Sequence, residues 1–365
     1  FGYAAIEYNV DPDTLAIEGV PLEELSKGEL VAVLEANVSK NRFRKLERDE
    51  PFEGRTQEDV YNLVMEDVVE PRVVNMWTLF ESLLRRDEVY LQAAEEYPQA
   101  ELQFLSWLRP GFLTTPQSST PELAGVRTAL LGSLWVIVIT FIFAFPLGVS
   151  AAIYLEEYAN KENRINRIIQ TNINNLAGVP SIIYGILGLT VFVRMLEPLT
   201  SGALFGVVDD ATTANGRTIL SAGLTLALLI LPIIIINAQE AIRAVPSSLR
   251  EASYGVGATK WQTVWNHVLP NSIPGILTGT IIAVSRAFGE TAPLVVVGAS
   301  TFITVDPTGP FSKFTTLPMQ IYQWTARPQE SFRNIAAAAI IVLLILLLAL
   351  NTAAVLLRNR YSRRY

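Results

Sequence analysis

The sequence contains no cysteine and a single histidine, His267. Without cysteine the chain has no disulfide, no thiolate metal site and no cysteine nucleophile. One histidine is too few for a metal site built from several histidines, and no H-E-x-x-H motif occurs. A G-x-x-x-x-G-K-S/T phosphate loop is also missing, so nothing indicates a nucleotide site in this chain. The residues for most catalytic and metal chemistry are therefore absent, and no cofactor is expected.

Long apolar runs dominate the rest of the sequence. Half of all residues are hydrophobic, and charged residues make up only 17%. Five stretches almost free of charge reach the roughly 20 residues that a helix needs to cross a bilayer. We therefore expect an all-α, multi-pass membrane protein rather than a soluble protein with isolated core helices. The expected helices cover about 123–155, 168–195, 218–240, 271–300 and 334–357.

Charge is distributed unevenly along the chain, whose net charge is −7. Residues 1–120 contain 23 of the 35 acidic and 11 of the 28 basic side chains, which gives this part a charge of −12. We interpret 7–114 as an acidic extramembrane domain, 115–121 as a linker and 122–365 as the membrane domain. The acidic balance disfavours nucleic acid as a partner. Residues 1–6 are interpreted as the end of a truncated first membrane helix or as a processed terminus.

The domain at 7–114 is expected to be mostly helical. Thr56 is suited to cap a helix, because Asp59 follows three residues later. Pro71 is expected to begin a second helix, and Pro98 precedes a third stretch that contains apolar residues.

Basic residues in the loops predict the orientation of the membrane helices. Three segments, 156–167, 241–266 and the C-terminal tail, are richer in lysine and arginine than the loops between them. By the positive-inside rule these segments are cytoplasmic, so residues 7–121 are extracytoplasmic. The ten basic residues are Lys161, Arg164, Arg167, Arg243, Arg250, Lys260, Arg358, Arg360, Arg363 and Arg364.

The segment 241–270 has the pattern of two short helices joined by a turn. Pro246 can open the first helix, and Gly255 and Gly257 permit a turn with positive φ. Each helix has an apolar stripe that would be costly to expose to water. The stripe indicates either a protein partner or a helix that lies in the membrane interface. The stripe residues are Leu249, Ala252, Val256, Trp261, Val264, Trp265 and Val268.

This segment resembles the EAA loop of ABC importer permeases. The sequence Glu251-Ala252-Ser253, then Gly257, then Leu269-Pro270 has the spacing of that signature. Ser253 departs from the usual third small residue, and His267 replaces an apolar residue and is expected to be a core histidine with its hydrogen bonds satisfied. The resemblance implies that the loop docks into a cytoplasmic ATPase. It assigns Glu251 to docking, Ala252 to close packing and Gly257 to the turn, with Leu269 and Pro270 completing the coupling segment.

Two further stretches, 175–185 and 285–293, resemble membrane helices of phosphate-specific ABC permeases, and the last outer loop resembles the A-type subunit. The resemblance covers about 122–365 and implies a type I ABC importer bundle in a bacterial inner or plasma membrane. It also implies a C-type permease, two ATPase subunits and an extracytoplasmic phosphate-binding protein as partners. That family usually has six membrane helices, whereas five are visible here.

Arg286 and Glu290 are four residues apart inside an apolar span and are expected on one face of its helix. A charge at the bilayer centre costs about 2.5–3.5 kcal/mol, so the pair is expected to face the bundle interior or a water-filled cavity. The forked donors of arginine suit phosphate oxygens, and Thr291 can add a hydroxyl donor. These three residues are therefore the predicted translocation path. The alternative is a salt bridge that only holds two helices together.

Small and basic residues mark other positions in the spans. Gly275 and Gly279 form a face for close helix packing, and Gly289 is expected to permit close approach beside the ion pair. Arg194 and Arg217 are interpreted as snorkelling anchors at outer helix ends, or as residues at the pore mouth. Three prolines are expected to kink or interrupt helices: Pro146, Pro180 and Pro232.

Three other functions stay open. The closest to the main hypothesis is a permease for another oxyanion, such as molybdate or sulfate. A second is a membrane sensor or scaffold whose outer domain binds a ligand. An intramembrane enzyme that uses Glu290 is the third, although nothing in the sequence places a second acid near that residue.

Overall fold

The computed structural model describes residues 2–17, 20–160, 162–206, 215–299 and 302–362. Within these residues the chain forms two compact units. The first comprises Phe1–Leu131, Thr301–Asp306 and Gln320–Ile340, and the second comprises Gly132–Ser300, Pro307–Met319 and Ile341–Tyr365. Three residues named in the sequence analysis, Lys161, Arg363 and Arg364, lie outside the described residues, as do the first residue of 1–6 and the end of the predicted helix at 271–300.

The first unit contains a small antiparallel sheet that the sequence analysis did not predict. Its strands are β1 (Gly2–Glu7), β2 (Arg72–Met76) and β3 (Glu101–Leu105), in the order β2-β1-β3. The central strand β1 pairs with both neighbours, which satisfies its backbone groups on both sides. Ala5 of β1 packs in a small core with Trp77, Val89 and Ala93.

Helices make up most of the rest of the first unit. A larger apolar core forms around Leu30, Leu34, Val60 and Val64. The helices are α1 (Lys27–Asn37), α2 (Lys40–Asp49), α3 (Gln57–Val64), α4 (Leu79–Leu84), α5 (Arg86–Glu96) and α6 (Pro110–Thr114).

Local expectations in this unit have different outcomes. The cap of α3 is confirmed. The amide of Asp59 donates to the hydroxyl of Thr56, and the amide of Thr56 donates to the carboxylate of Asp59, both at 3.1 Å. Pro71 is followed by the strand β2 and not directly by the expected helix, and the apolar stretch after Pro98 contains the strand β3. Residues 2–7 form the strand β1 rather than the helix end that was one of the two interpretations of residues 1–6. The predicted linker is packed, with Thr115, Gln117 and Ser118 buried.

Within the described residues, four helical stretches are long and apolar enough to cross a membrane, and they lie in the regions of four of the five predicted spans. These stretches are Arg127–Tyr158, Ile219–Arg243, Lys260–Gly289 and Ser331–Arg360. The helices after α6 are α7 (Arg127–Ile153), α8 (Arg164–Ala177), α9 (Ser181–Gly188), α10 (Glu197–Thr200), α11 (Ile219–Arg243), α12 (Ser247–Gly255), α13 (Lys260–Thr263), α14 (Leu269–Gly289), α15 (Ala292–Val297), α16 (Leu317–Thr325) and α17 (Glu330–Ser362).

The remaining predicted span, 168–195, is a bent pair of helices. Residues Arg164–Ala177 and Ser181–Met195 meet at 107°. Pro180 is the N-cap of α9 and cannot continue the hydrogen bonds of α8. The hydroxyl of Tyr184 donates to the carbonyl of Leu176 at 2.7 Å and joins the two helices across the bend. Pro180 therefore interrupts this span, whereas Pro146 and Pro232 lie inside continuous helices.

Helix α11 lies at the centre of the second unit, because its apolar side chains are buried along most of its length. It packs against α14 through two small residues, as the sequence predicted. A Cβ added to Gly275 would lie 2.7 Å from Cβ of Ala241, and one added to Gly279 would lie 2.3 Å from Cβ of Asn237. Only glycine permits this approach, so the position of α14 on α11 is fixed by these two residues.

Candidate functional site

The predicted coupling segment forms two helices joined by a tight turn. Helix α12 begins after Pro246 and ends at Gly255, and α13 is capped by Thr259, whose hydroxyl accepts from the amide of Gln262 at 3.3 Å. The hydroxyls of Ser253 and Thr263 lie 2.9 Å apart in a buried contact that joins the helices. Serine at the third position of the motif therefore bonds the next helix, which alanine could not do.

The turn between α12 and α13 requires glycine at one position. Gly257 has φ of +83°, as the sequence predicted, and its amide donates to the carbonyl of Tyr254 at 2.9 Å. A Cβ added to Gly257 would have nothing within 4 Å. The requirement comes from the backbone conformation alone, since space is available. Gly255, by contrast, ends α12 in ordinary helical geometry.

The segment presents large apolar side chains to its surroundings. Val256 is 86% exposed and Trp261 is 62% exposed. The rings of Trp261 and Trp265 stack with their centroids 5.5 Å apart. Glu251 and Ala252 are also exposed, on α12. An apolar patch with an adjacent carboxylate is the kind of surface that a protein partner covers.

Arg250 anchors the coupling segment to the membrane helices, a role that sequence reasoning missed. Its guanidinium bonds the carboxylate of Glu157 at 2.8 and 3.1 Å and the carbonyls of Ile242 and Val245 at 2.9 and 2.6 Å. Both charged side chains are largely buried. In the neighbouring pair, Arg243 bonds Glu156 at 2.8 Å. The two adjacent acids that follow an apolar span were the available signal.

The second coupling helix continues through Leu269-Pro270 into the membrane span. A π-turn at Val264–Val268 connects α13 to α14, and Leu269 and Pro270 form the first turn of α14. Pro270 has no amide hydrogen, so the regular helical hydrogen bond to the carbonyl of Asn266 is missing at this point. His267 lies on this turn and is exposed, so the expectation of a core histidine is wrong.

The predicted translocation residues lie where α14 ends. The helix stops at Gly289 rather than near residue 300, and Pro293, which has no amide hydrogen for the carbonyl of Gly289, lies in the first turn of α15. Glu290 is extended, with φ of −74° and ψ of 129°, and Thr291 precedes α15. Glu290 and Thr291 are therefore in a break between two helices.

Arg286 and Glu290 still interact across this break. Nε of Arg286 lies 3.4 Å from Oε1 of Glu290. The arginine side chain is 47% exposed and the glutamate side chain 17% exposed, so the pair lies at the edge of the second unit and its guanidinium is accessible. Gly289 was expected at a close helix contact, but a Cβ there would meet nothing within 4 Å.

A continuous helical stretch joins the two candidate sites. Lys260–Gly289 comprises 30 residues and is about 45 Å long at the rise of an α-helix. Glu251, Ala252 and Gly257 directly precede this stretch. Leu269 and Pro270 lie in its first half, and Arg286 lies in its last turn. A tilt imposed on α13 would therefore move Arg286.

Two other arginines of the spans, Arg194 and Arg217, lie at helix ends. Both are exposed. The stem of Arg217 crosses Gly298, where a Cβ would lie 2.6 Å from its Cδ. Gly298 has φ of +105°, so glycine is required there for both conformation and space.

The membrane part of the chain is similar in sequence to known proteins. Residues 144–365 match the family described as "Binding-protein-dependent transport system inner membrane component". This match covers more than half of the sequence, so the chain belongs to this family of membrane permeases. It is a multi-pass inner-membrane subunit of an ABC importer, a transport component.

Individual relatives include permeases with assigned names. The chain is 34% identical over 222 residues to "Probable ABC transporter permease protein YqgI" of Bacillus subtilis, which covers 60% of this chain and 67% of that protein. It is 34% identical over 208 residues to "Phosphate transport system permease protein PstA 1" of Mycobacterium tuberculosis, covering 57% and 61%. It is 33% identical over 229 residues to PstA of Yersinia pestis, covering 61% and 70%. The chain thus spans roughly two thirds of these relatives.

A solved structure matches more distantly. The structure described as a bacterial alginate ABC transporter in complex with an alginate pentasaccharide-bound periplasmic protein is 20% identical with a TM-score of 0.47, covering 78% of this chain and 90% of that one.

Proposed function

We propose that the chain forms the translocation path for inorganic phosphate in an ATP-driven importer. The observation that carries this proposal is the Arg286–Glu290 pair at the break between α14 and α15, in a chain about one third identical to named phosphate permeases. An accessible guanidinium offers two parallel donors to an oxyanion. Glu290 holds the arginine in position when the path is empty, and Thr291 adds a hydroxyl beside it.

Coupling to ATP hydrolysis takes place at the other end of the same helical stretch. The exposed surface of α12 and α13, with Glu251, Ala252 and Gly257, docks into a cytoplasmic ATPase. Leu269 and Pro270 join this surface to the span, and Arg250 transmits its movement to α7 and α11. Two ATPase subunits, a C-type permease and an extracytoplasmic phosphate-binding protein complete the assembly.

A set of variants separates transport from a purely structural salt bridge. Arg286→Lys keeps the charge but loses the fork, so radiolabelled phosphate uptake should fall sharply. Arg286→Ala alone would leave Glu290 without its partner, whereas Arg286→Ala with Glu290→Ala removes both charges and should restore the membrane level. We expect uptake to stay low in this double variant.

The matched control is Arg333→Ala, which removes an exposed arginine near the start of α17 and should leave uptake near the parental rate. Competition with sulfate and molybdate identifies the oxyanion, since only phosphate should reduce the labelled uptake. Parental uptake in a well-expressed double variant would show that the pair is only structural and would refute the proposal.

A further inference from the structure

Helix α2 is strongly basic within an acidic part of the chain. Residues 1–120 carry a net charge of −12, yet five of their eleven basic residues lie in the ten residues Lys40–Asp49. These five residues are Lys40, Arg42, Arg44, Lys45 and Arg48.

The inner face of α2 fixes which of these cations point outward. Leu46 is buried, and the ring of Phe43 packs on Phe52 with the centroids 5.0 Å apart. Arg42 is held by Asp67 through four contacts of 3.0–3.2 Å from its guanidinium. Because these three side chains share one side of the helix, α2 cannot rotate without breaking them.

The other four cations form the basic face of α2, which consists of Lys40, Arg44, Lys45 and Arg48. Lys40, Arg44 and Arg48 are spaced by four residues and therefore lie on one side of the helix. All four are exposed, and within the part of the chain that the structure describes none of them forms an ion pair. The nearby carboxylate of Glu47 is engaged by the amide of Phe52 at 3.3 Å.

We propose that the basic face of α2 docks on the anionic phospholipid surface of the membrane that the chain spans. Four cations on one helix face are complementary to acidic headgroups, and such clusters are typical of helices that bind anionic lipid. A protein partner fits less well, because the face has no exposed aromatic or apolar anchor and interface cores are poor in lysine. Since the domain is tethered to a membrane protein, the lipid surface is always at high effective concentration.

The proposal has a quantitative consequence. Each cation near an anionic surface raises the ratio of docked to undocked domain by about fivefold. Removal of two cations should therefore lower this ratio by about twentyfold or more. Salt should weaken docking, since it screens charges at the surface. The proposal does not depend on which ion the chain transports.

The absence of cysteine permits a direct test on the full chain in nanodiscs. Asn41, a neutral and exposed residue of α2, is replaced as Asn41→Cys and labelled with a nitroxide. A trace of nickel-chelating lipid then broadens the nitroxide spectrum only when the helix touches the headgroups. We expect broadening in nanodiscs that contain phosphatidylglycerol, little in pure phosphatidylcholine, and reversal by salt.

Matched variants identify the responsible charges. Arg44→Gln with Arg48→Gln should abolish the broadening, whereas Arg72→Gln with Arg85→Gln, which removes two exposed arginines elsewhere in the same unit, should leave it unchanged. Circular dichroism checks that both proteins fold. Broadening that is absent, independent of phosphatidylglycerol or equally lost in both pairs would overturn the proposal. A nitroxide that is immobilised without contact with nickel would assign the face to a protein.

Discussion

Single residues decide where the candidate sites lie, and only some of them are visible in the sequence. The positive φ of Gly257 was predictable, because a glycine between two short amphipathic helices usually serves a turn. The break at Glu290 was not predicted, although Pro293 favours a helix end before it. The charges of Arg286 and Glu290 suggested i, i+4 neighbours on a helix, and this interpretation overlooked a proline three residues beyond the glutamate. Their proximity is confirmed, but the helix between them is not continuous.

Gly257 should be sensitive to substitution for a conformational reason only. Gly257→Ala places a side chain at φ of +83° in open space, so the turn should be destabilised by about 1 kcal/mol or more. Gly257→Asn should be milder, because asparagine tolerates this region better. Gly255→Ala is the matched control, since it lies in a helix and should be neutral or stabilising by up to about 1 kcal/mol.

The measurement is stimulation of the ATPase in the purified complex, together with membrane level by immunoblot. We expect Gly257→Ala to insert normally and to lose stimulation, while Gly255→Ala retains it. Equal stimulation by both variants would show that the turn conformation is unimportant for coupling.

At the scale of elements, the length of the apolar runs predicted where membrane helices occur, but not where these helices bend or end. Four spans exist as expected, but the span through Pro180 bends by 107° and α14 stops eleven residues before its predicted end. Hydropathy reports how much of a segment is apolar and says little about where a backbone hydrogen bond is missing. Prolines supply that information, yet Pro146 and Pro232 are inside continuous helices, so a proline alone does not predict an interruption.

Arg250 is expected to be required for the rigid link between the coupling segment and the spans. Arg250→Lys keeps one charge but cannot make the four hydrogen bonds to Glu157, Ile242 and Val245, so we expect a loss of about 2 kcal/mol or more in stability. ATPase stimulation should fall as well, because α12 would move independently of α11.

Arg243→Lys is the matched control, since Arg243 also pairs with a glutamate but is 46% exposed and should contribute less than about 1 kcal/mol. Thermal unfolding in detergent and ATPase stimulation are measured for both variants. Similar losses in the two would mean that Arg250 acts as an ordinary surface charge.

At the scale of the whole molecule, the sequence predicted the division into an acidic part and an apolar part but not the content of the first. The strands of its sheet are short and come from segments up to about one hundred residues apart, so no local pattern reveals that they pair. The first unit also takes in Thr301–Asp306 and Gln320–Ile340, far along the chain. Segments so distant in sequence join one unit through tertiary packing, and the amino-acid composition does not reveal such contacts.

The orientation predicted from loop charges is a property of the whole chain and can be tested at two exposed positions. If the positive-inside rule holds, Glu95 in α5 is extracytoplasmic and Glu162, just before α8, is cytoplasmic. The parent has no cysteine, so Glu95→Cys and Glu162→Cys each provide the only thiol in the protein.

In intact cells whose outer barrier has been made permeable, a membrane-impermeant maleimide should label Glu95→Cys at once. It should label Glu162→Cys only after the inner membrane is disrupted. Both thiols should react fully in detergent, which controls for burial. The reverse pattern would place the exposed apolar surface of α12 and α13 outside the cell, away from any ATPase, and the proposed coupling would then be wrong together with the topology.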